Sequence, residues 1–169
     1  MIITETDRLR LRWATRDDAA FIFKLVTEPA WGEHIGKSKV ATIEQAAGYI
    51  ERALIAMYEE AGFGLYLVEL KQTGEALGIC GLIRRETLED VDLGFALLEE
   101  HWGKGYAFEA GRATLDVARM QFDLKRVVAI TSLTNQPSIA LLEKLGFNFE
   151  KKIQFNPDDA ELMLFGVEL

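Results

Sequence analysis

The chain has 169 residues, 49% of them apolar and 27% charged, values typical of a soluble globular protein that folds as one domain spanning residues 1–169. Its net charge is −8, from 27 acidic and 19 basic side chains, and the basic residues are dispersed along the chain. This balance argues against direct binding of nucleic acid, which depends on clustered Lys and Arg, and it suits a cationic partner better.

Targeting and metal signals are also missing from the sequence. No apolar run approaches the roughly eighteen residues of a membrane span, and no signal-peptide pattern opens the chain, so we expect a cytoplasmic protein without a membrane partner. With a single cysteine, Cys80, and two histidines, the chain has no credible zinc ligand set. Cys80 lies in an apolar run, with no neighbouring cation to activate it, and is expected to be a core residue.

The first third of the chain predicts one strand followed by two helices. Residues 8–13 alternate polar and apolar side chains, which indicates a strand with one buried face. Thr15 is a candidate cap for a helix that ends before Pro29, and residues 29–38 are predicted to be a loop. Thr42, followed three residues later by Gln45, has the spacing of a capping box and predicts a helix extending to about residue 60.

The remainder of the chain predicts six strands and two helices. One helix follows a glycine-rich turn near residue 105, and a shorter helix lies between Pro137 and Gly146. The helix after the glycine turn should connect two parallel strands by a right-handed crossover. The predicted strands, which include two antiparallel hairpins, are residues 63–70, 77–84, 91–98, 126–131, 149–155 and 162–167.

The most informative stretch is the glycine-rich turn between a strand and a helix. Gly103 and Gly105 lack Cβ atoms, so the turn can direct several backbone N–H groups at one point, and the following helix adds its unpaired N–H groups and positive dipole end. Such a place binds phosphate. The spacing excludes a P-loop, because Lys104 lies between the glycines, and a dinucleotide fingerprint, because Phe108 occupies its last position. The alternative is a glycine turn that only redirects the chain.

Two segments in this order resemble the GCN5-related N-acetyltransferase (GNAT) superfamily. The turn Trp102-Gly-Lys-Gly-Tyr-Ala107 is similar to its acetyl-CoA loop, usually Gln/Arg-x-x-Gly-x-Gly/Ala, although Trp102 replaces the usual Gln or Arg. The later segment from Asn135 to Phe147, with Ser138 and Leu-Glu-Lys-Leu-Gly-Phe, is similar to its second signature. Residues 4–12 resemble the start of the RimJ/RimL-like branch of ribosomal-protein N-terminal acetyltransferases.

This resemblance implies a fold, a cosubstrate and a set of binding residues. The fold would be a mixed, mostly antiparallel twisted sheet of about six to seven strands with helices on both faces. Acetyl-CoA would be the cosubstrate, without a metal, and it would be bound by the backbone of one strand, by the glycine turn, by Asn135 and by two candidate cations. The residues so implied are Phe95, Ala96, Leu97, Trp102, Gly103, Lys104, Gly105, Tyr106, Ala107, Asn135 and Lys144.

The chemistry implied is acetyl transfer to a primary amine, either a protein N-terminal α-amine or a small amine. Ser138 would stabilise or protonate the departing thiolate, although a plain helix-start role is equally consistent with its position. Trp31, His34 and Tyr49 lie where this fold builds the acceptor pocket, although each of them also suits a packing role. Three carboxylates are candidate bases, with none preferred: Glu69, Asp92 and Asp158.

Two other classes of function remain open at this point. The chain could bind CoA without turnover, as a sensor or scaffold, or it could use the same turn as a nucleotide-binding module. The sequence identifies neither the acceptor nor the oligomeric state, which is expected to be a monomer or a homodimer.

Overall fold

The computed structural model describes residues Met1–Leu169, which form one eight-stranded sheet in the order β1-β2-β3-β4-β5-β6-β8-β7. Neighbouring strands are antiparallel except for β5 and β6, which are parallel and are connected by the long helix α5. No helix combines the length and the apolar character needed to cross a membrane. The strands are β1 (Ile2–Glu5), β2 (Leu9–Arg12), β3 (Leu65–Leu70), β4 (Ala76–Ile83), β5 (Asp92–Leu97), β6 (Arg126–Ser132), β7 (Asn148–Ile153) and β8 (Leu162–Glu168).

Six α-helices accompany the sheet. A 3₁₀ turn precedes α1, a π-helical segment, Ile50–Ile55, joins α3 to α4, and a second 3₁₀ turn, Glu99–His101, follows β5. The cap predicted at Thr42 is confirmed, since its side chain accepts a hydrogen bond from Gln45 N–H at 3.1 Å. The helices are α1 (Ala19–Thr27), α2 (Pro29–His34), α3 (Ile43–Tyr49), α4 (Ala56–Ala61), α5 (Tyr106–Phe122) and α6 (Gln136–Lys144).

Both faces of the central strands are covered. Successive residues of a strand point to opposite faces, yet Leu67 and Val68 on β3 are both fully buried, as are neighbouring residues along β4. Helix α5 covers one of these faces, where the Cys80 sulfur lies 3.4 Å from Thr114 Oγ1. Cys80 is completely buried, which confirms the prediction of a core cysteine, and this burial raises the pKa of its thiol to about 12.

Helix α5 presents small residues to its neighbours. Ala110, Thr114 and Ala118 are completely buried along it. A Cβ added at Gly111 would come within 2.9 Å of the Leu145 side chain, so this glycine allows α5 to lie close to the segment just after α6. These small residues therefore allow α5, the helix that follows the glycine turn, to pack closely against its neighbours.

Two predictions of secondary structure were wrong. Residues 29–38 were predicted to be a loop, but Pro29–His34 forms α2, because Pro29 ends α1 and also occupies the first position of the next helix, where its missing N–H costs nothing. The strand count of six to seven was one too low, because β1, an edge strand of 4 residues, adds to the seven strands that were predicted. Ile2 on that edge strand is 54% exposed, so β1 lacks the buried apolar face by which a strand is recognised in a sequence.

Candidate active site

A cavity of about 320 Å³ opens beside the end of β5, where four parts of the chain meet. The junction of α1 and α2 forms one wall, β5 and the glycine turn form the floor, and the first turns of α5 and α6 complete the site. Of the fifteen predicted site residues, thirteen line this cavity: Trp31, His34, Phe95, Ala96, Leu97, Trp102, Gly103, Gly105, Tyr106, Ala107, Asn135, Ser138 and Lys144.

The other two predicted residues lie elsewhere. The Lys104 side chain is exposed beside the glycine turn and does not line the cavity. Tyr49 is half-buried at the end of α3, packed against the core, and burial raises the pKa of its phenol. A packing role therefore describes Tyr49 better than contact with an acceptor.

The floor of the cavity is an open strand edge. Strands β5 and β6 pair at Asp92 and Val128, and beyond these residues the two strands are no longer paired. Because Leu98 N–H bonds to Leu77 on β4, and alternate residues of a strand point to opposite sides, the backbone groups of Phe95 and Leu97 face the gap between β5 and β6. The Trp102 indole N–H donates to Leu97 C=O at 2.9 Å, leaving the N–H of Leu97 and both backbone groups of Phe95 for a ligand.

The glycine turn has the geometry that its sequence predicted. Gly103 and Gly105 adopt left-handed conformations with φ of +73° and +80°, which only glycine adopts without strain. A Cβ at Gly103 would have no neighbour within 4 Å, and one at Gly105 would meet only the Arg8 side chain at 3.3 Å, so the turn leaves its surface free. Gly105 is the N-cap of the 17-residue α5, so the unpaired N–H groups of that helix begin here.

Arg8 fixes this turn from outside the cavity, a role that the sequence did not reveal. Its guanidinium donates to Lys104 C=O at 3.0 Å and lies 4.5 Å from the centre of the Tyr106 ring. It also donates to Glu109 Oε2 at 2.7 Å on the first turn of α5. Burial would raise the pKa of Glu109, but hydrogen bonds from Thr6 and Arg8 outweigh it and hold that pKa below its ordinary value.

The start of α6 contributes Asn135 and Ser138. Asn135 is the N-cap, and its side-chain oxygen accepts a hydrogen bond from Ser138 N–H at 3.3 Å, so the amide NH₂ remains available to the cavity. The Ser138 hydroxyl makes no hydrogen bond within the chain and lines the same cavity. At the far end of α6, the Lys144 ammonium lies 4.5 Å from the centre of the Phe108 ring.

The wall formed by α1 and α2 contains aromatic and apolar side chains and one carboxylate. The centres of the His34 and Trp102 rings, which both line the cavity, lie 5.9 Å apart. Glu28, at the junction of the two helices, is the only acidic residue of the lining. Eight further residues line the cavity and were not predicted as site residues: Leu25, Glu28, Ala30, Ile35, His101, Phe108, Pro137 and Leu141.

The three candidate bases lie outside the cavity. Glu69 is buried in ion pairs with Arg10 and Arg12 across β2 and β3. Asp92, at the start of β5, is paired with Arg85, and burial raises its pKa despite that guanidinium. Asp158 is exposed between β7 and β8. None of them is therefore placed to act on a group bound in the cavity.

Comparison with known proteins now decides the family. A family model described as an acetyltransferase (GNAT) domain matches residues 8–148. The chain belongs to the GNAT family. The uncharacterized protein YkkB of Bacillus subtilis (strain 168) is 32% identical over 155 residues, which span 88% of this chain and 87% of YkkB. The uncharacterized N-acetyltransferase YoaA of the same organism is 30% identical over 149 residues, or 88% of this chain and 84% of YoaA.

Solved structures share the GNAT fold of this chain. An acetyltransferase from Agrobacterium tumefaciens superposes with a TM-score of 0.82 at 26% identity, covering 97% of this chain and 92% of the other. RimL, a ribosomal L7/L12 α-N-protein acetyltransferase solved in complex with coenzyme A, superposes with a TM-score of 0.85 over 100% of this chain and 98% of RimL. At 20% identity, the second likeness shows the fold alone. The chain is therefore an acetyltransferase of the GNAT family, and its cavity lies at the end of the parallel strand pair.

Proposed function

We propose that this GNAT acetyltransferase moves the acetyl group of acetyl-CoA to a primary amine by direct attack within a ternary complex. The observation that carries the proposal is the continuity of one cavity, which joins the open edge of β5 to the left-handed glycine turn and to the Ser138 hydroxyl. An open strand edge suits the amides of pantetheine, and the turn suits a pyrophosphate. The remaining wall, next to Trp31, is left for the acceptor.

Direct transfer requires no covalent enzyme intermediate. The neutral amine nitrogen bonds to the thioester carbonyl carbon and loses a proton, the carbon–sulfur bond breaks, and the thiolate leaves with the electron pair and takes up a proton, so that an amide and the free thiol of CoA result. The only thiol of the chain, Cys80, is fully buried and outside the cavity, so it offers no route through an acetylated cysteine. Ser138 has a hydroxyl free to donate to the thiolate as negative charge develops there.

The decisive experiment measures thiol release from acetyl-CoA with a panel of acceptors. The panel includes peptides with free N-termini, among them an L7/L12 N-terminal peptide, as well as polyamines, amino acids, aromatic amines and aminoglycosides. We expect release with primary amines and a rate that rises with pH as one group deprotonates, since only the neutral amine attacks. Acetylation of hydroxyl or carboxyl compounds alone would contradict the proposal.

Two further outcomes identify the alternative functions. Binding of acetyl-CoA without release of thiol for any amine would indicate a CoA-binding sensor or scaffold. Displacement of acetyl-CoA by equimolar ATP would instead indicate a nucleotide-binding module. Calorimetric titration with acetyl-CoA, alone and in the presence of ATP, separates these two cases.

A further inference from the structure

The cavity contains a single carboxylate, and its position is fixed by the chain. Glu28 is the only Asp or Glu among the 21 lining residues, although the chain has 27 acidic side chains. It is the residue between α1 and α2, with extended backbone angles of φ −62° and ψ +144°, and Pro29 follows it. Because proline restricts the residue before it to this region, the backbone conformation of Glu28 is fixed.

One of the two oxygens of the Glu28 carboxylate accepts a hydrogen bond from the chain, and the other does not. Its Oε2 accepts a hydrogen bond from Glu99 N–H at 3.3 Å, on the loop that follows β5, and its Oε1 accepts none from the chain. A second contact ties the same two segments together, because Lys24 on α1 is paired with Glu100 at 2.9 Å. Lys24 also attracts Glu28, but its side chain is 56% exposed and its ammonium is paired with Glu100, so it offsets the charge of Glu28 only weakly.

The surroundings of Glu28 are apolar and aromatic. The residues that line the same cavity include Leu25, Ala30, Trp31, Ile35 and Trp102. Glu28 is partly buried, so its carboxylate attracts a cation more strongly than a fully solvated carboxylate does. Aromatic faces add a further attraction for an ammonium group. A long polycation, in contrast, would find no second carboxylate in the cavity.

We propose that Glu28 binds the amine group of the acceptor, and that the acceptor is a monoamine carried on an apolar or aromatic body. This inference rests on the proposed function and names the substrate class of the same site. The free oxygen of Glu28 receives the ammonium group, which loses a proton to solvent before the neutral amine attacks, and the apolar wall beside Trp31 receives the body of the acceptor. Recognition of this kind strengthens acceptor binding, so its removal affects the KM of the acceptor more than kcat.

The test compares Glu28→Gln with Glu33→Gln at saturating acetyl-CoA. Both variants lose one negative charge on this part of the chain, but Glu33 is exposed on α2 and does not line the cavity. With 2-phenylethylamine as the acceptor, we expect Glu28→Gln to raise KM by about tenfold, or about 1.4 kcal/mol, with kcat within about twofold of the wild type. Glu33→Gln should leave both constants unchanged, and calorimetry should give the same acetyl-CoA affinity for all three proteins.

Specificity supplies a second measurement. The wild type should have a higher kcat/KM for 2-phenylethylamine than for spermidine. It should also have a higher kcat/KM for 2-phenylethylamine than for a weakly cationic aniline, and Glu28→Gln should make these last two values more nearly equal. Equal constants for the two Gln variants, a fall in kcat at unchanged KM, or a preference for spermidine would overturn the proposal while leaving acetyl transfer intact. A wild-type protein that released no thiol with any amine would instead overturn the proposed function, and with it the role of Glu28.

Discussion

Replacing Gly105 by alanine tests whether the glycine turn holds the pyrophosphate of acetyl-CoA. Gly105 has φ +80° and ψ +4°, and the added Cβ would meet only the far end of the Arg8 side chain at 3.3 Å. The steric cost inside the protein is therefore small, because a flexible side chain can move. What remains is the strain of a left-handed alanine, about 1–2 kcal/mol, and the methyl group on the surface that the phosphates must approach.

A matched control exists at Gly62, the residue after α4. It has φ +80° and ψ −9°, nearly the conformation of Gly105, and its added Cβ would lie 3.5 Å from the Phe122 ring. Gly62 does not line the cavity. Gly62→Ala should therefore suffer the same strain as Gly105→Ala, while any effect on a bound phosphate should be absent.

Two assays separate strain from binding. Urea unfolding should show that both variants lose about 1–2 kcal/mol of unfolding free energy. Calorimetric titration with acetyl-CoA should show at least tenfold weaker binding, about 1.4 kcal/mol, for Gly105→Ala and no change for Gly62→Ala. Unchanged acetyl-CoA affinity in a folded Gly105→Ala protein would refute the assignment of the turn as a phosphate-binding site. Equal losses of acetyl-CoA affinity in both variants would show that the weaker binding results from lower stability.

Three more substitutions test the cap of α6 and an ion pair near α1. Asn135→Asp keeps the oxygen that caps α6 but lacks the amide donors, so it should weaken acetyl-CoA binding with little loss of stability, whereas Asn135→Ala should also lose about 1 kcal/mol of unfolding free energy. Burial would raise the pKa of Asp18, but hydrogen bonds from Arg12 and Thr15 hold it below its ordinary value, so its contribution is present above about pH 4 and is lost as pH falls through the lowered pKa. Asp18→Asn should accordingly cost about 2 kcal/mol by urea unfolding at pH 7 and much less at pH 3; equal losses at both pH values would contradict the pairing.

Elements with their own local signals could be predicted from the sequence. The strand, glycine turn and helix from Leu93 onward combine an apolar run, two turn glycines and a helical pattern within a few residues, and the structure has all three. Thr42 and Gln45 likewise determine a helix start through contacts between near neighbours. Such features depend on interactions that the local sequence contains.

Features that depend on contacts between distant segments could not be predicted. The insertion of β8 between β6 and β7 is decided by pairing with β6 over its whole length, from Arg126 to Ser132, and not by the hairpin that the sequence shows. Arg8 reaches the glycine turn across nearly 100 residues of chain. Periodicity also gives no sign of the π-helical segment Ile50–Ile55.

The choice among acidic residues illustrates the same limit within the site. Composition shows 27 acidic side chains, and nothing local distinguishes Glu28 from Glu69 or Asp92. Glu28 enters the cavity because Pro29 starts a new helix there and because Glu99 N–H holds its carboxylate. Glu69, in contrast, lies between two arginines of the neighbouring strand. The sequence could therefore predict the residues that we propose for the cosubstrate, together with Trp31 and His34 on the opposite wall, but not Glu28.

Ser138→Ala separates a chemical role of the hydroxyl from a structural one. The cap of α6 uses the Asn135 side chain and the Ser138 backbone, so removal of the hydroxyl should leave the helix start intact and change the unfolding free energy by less than about 0.5 kcal/mol. If the hydroxyl donates to the departing thiolate, the interaction forms mainly in the transition state. Steady-state kinetics should then show kcat and kcat/KM for the acceptor falling together by about tenfold to a hundredfold, a modest loss because CoA thiolate is a fair leaving group. Calorimetry should show acetyl-CoA affinity within about twofold of the wild type. A loss of affinity at preserved kcat, or no change in either, would leave Ser138 as a residue of the helix start and assign protonation of the thiolate to water.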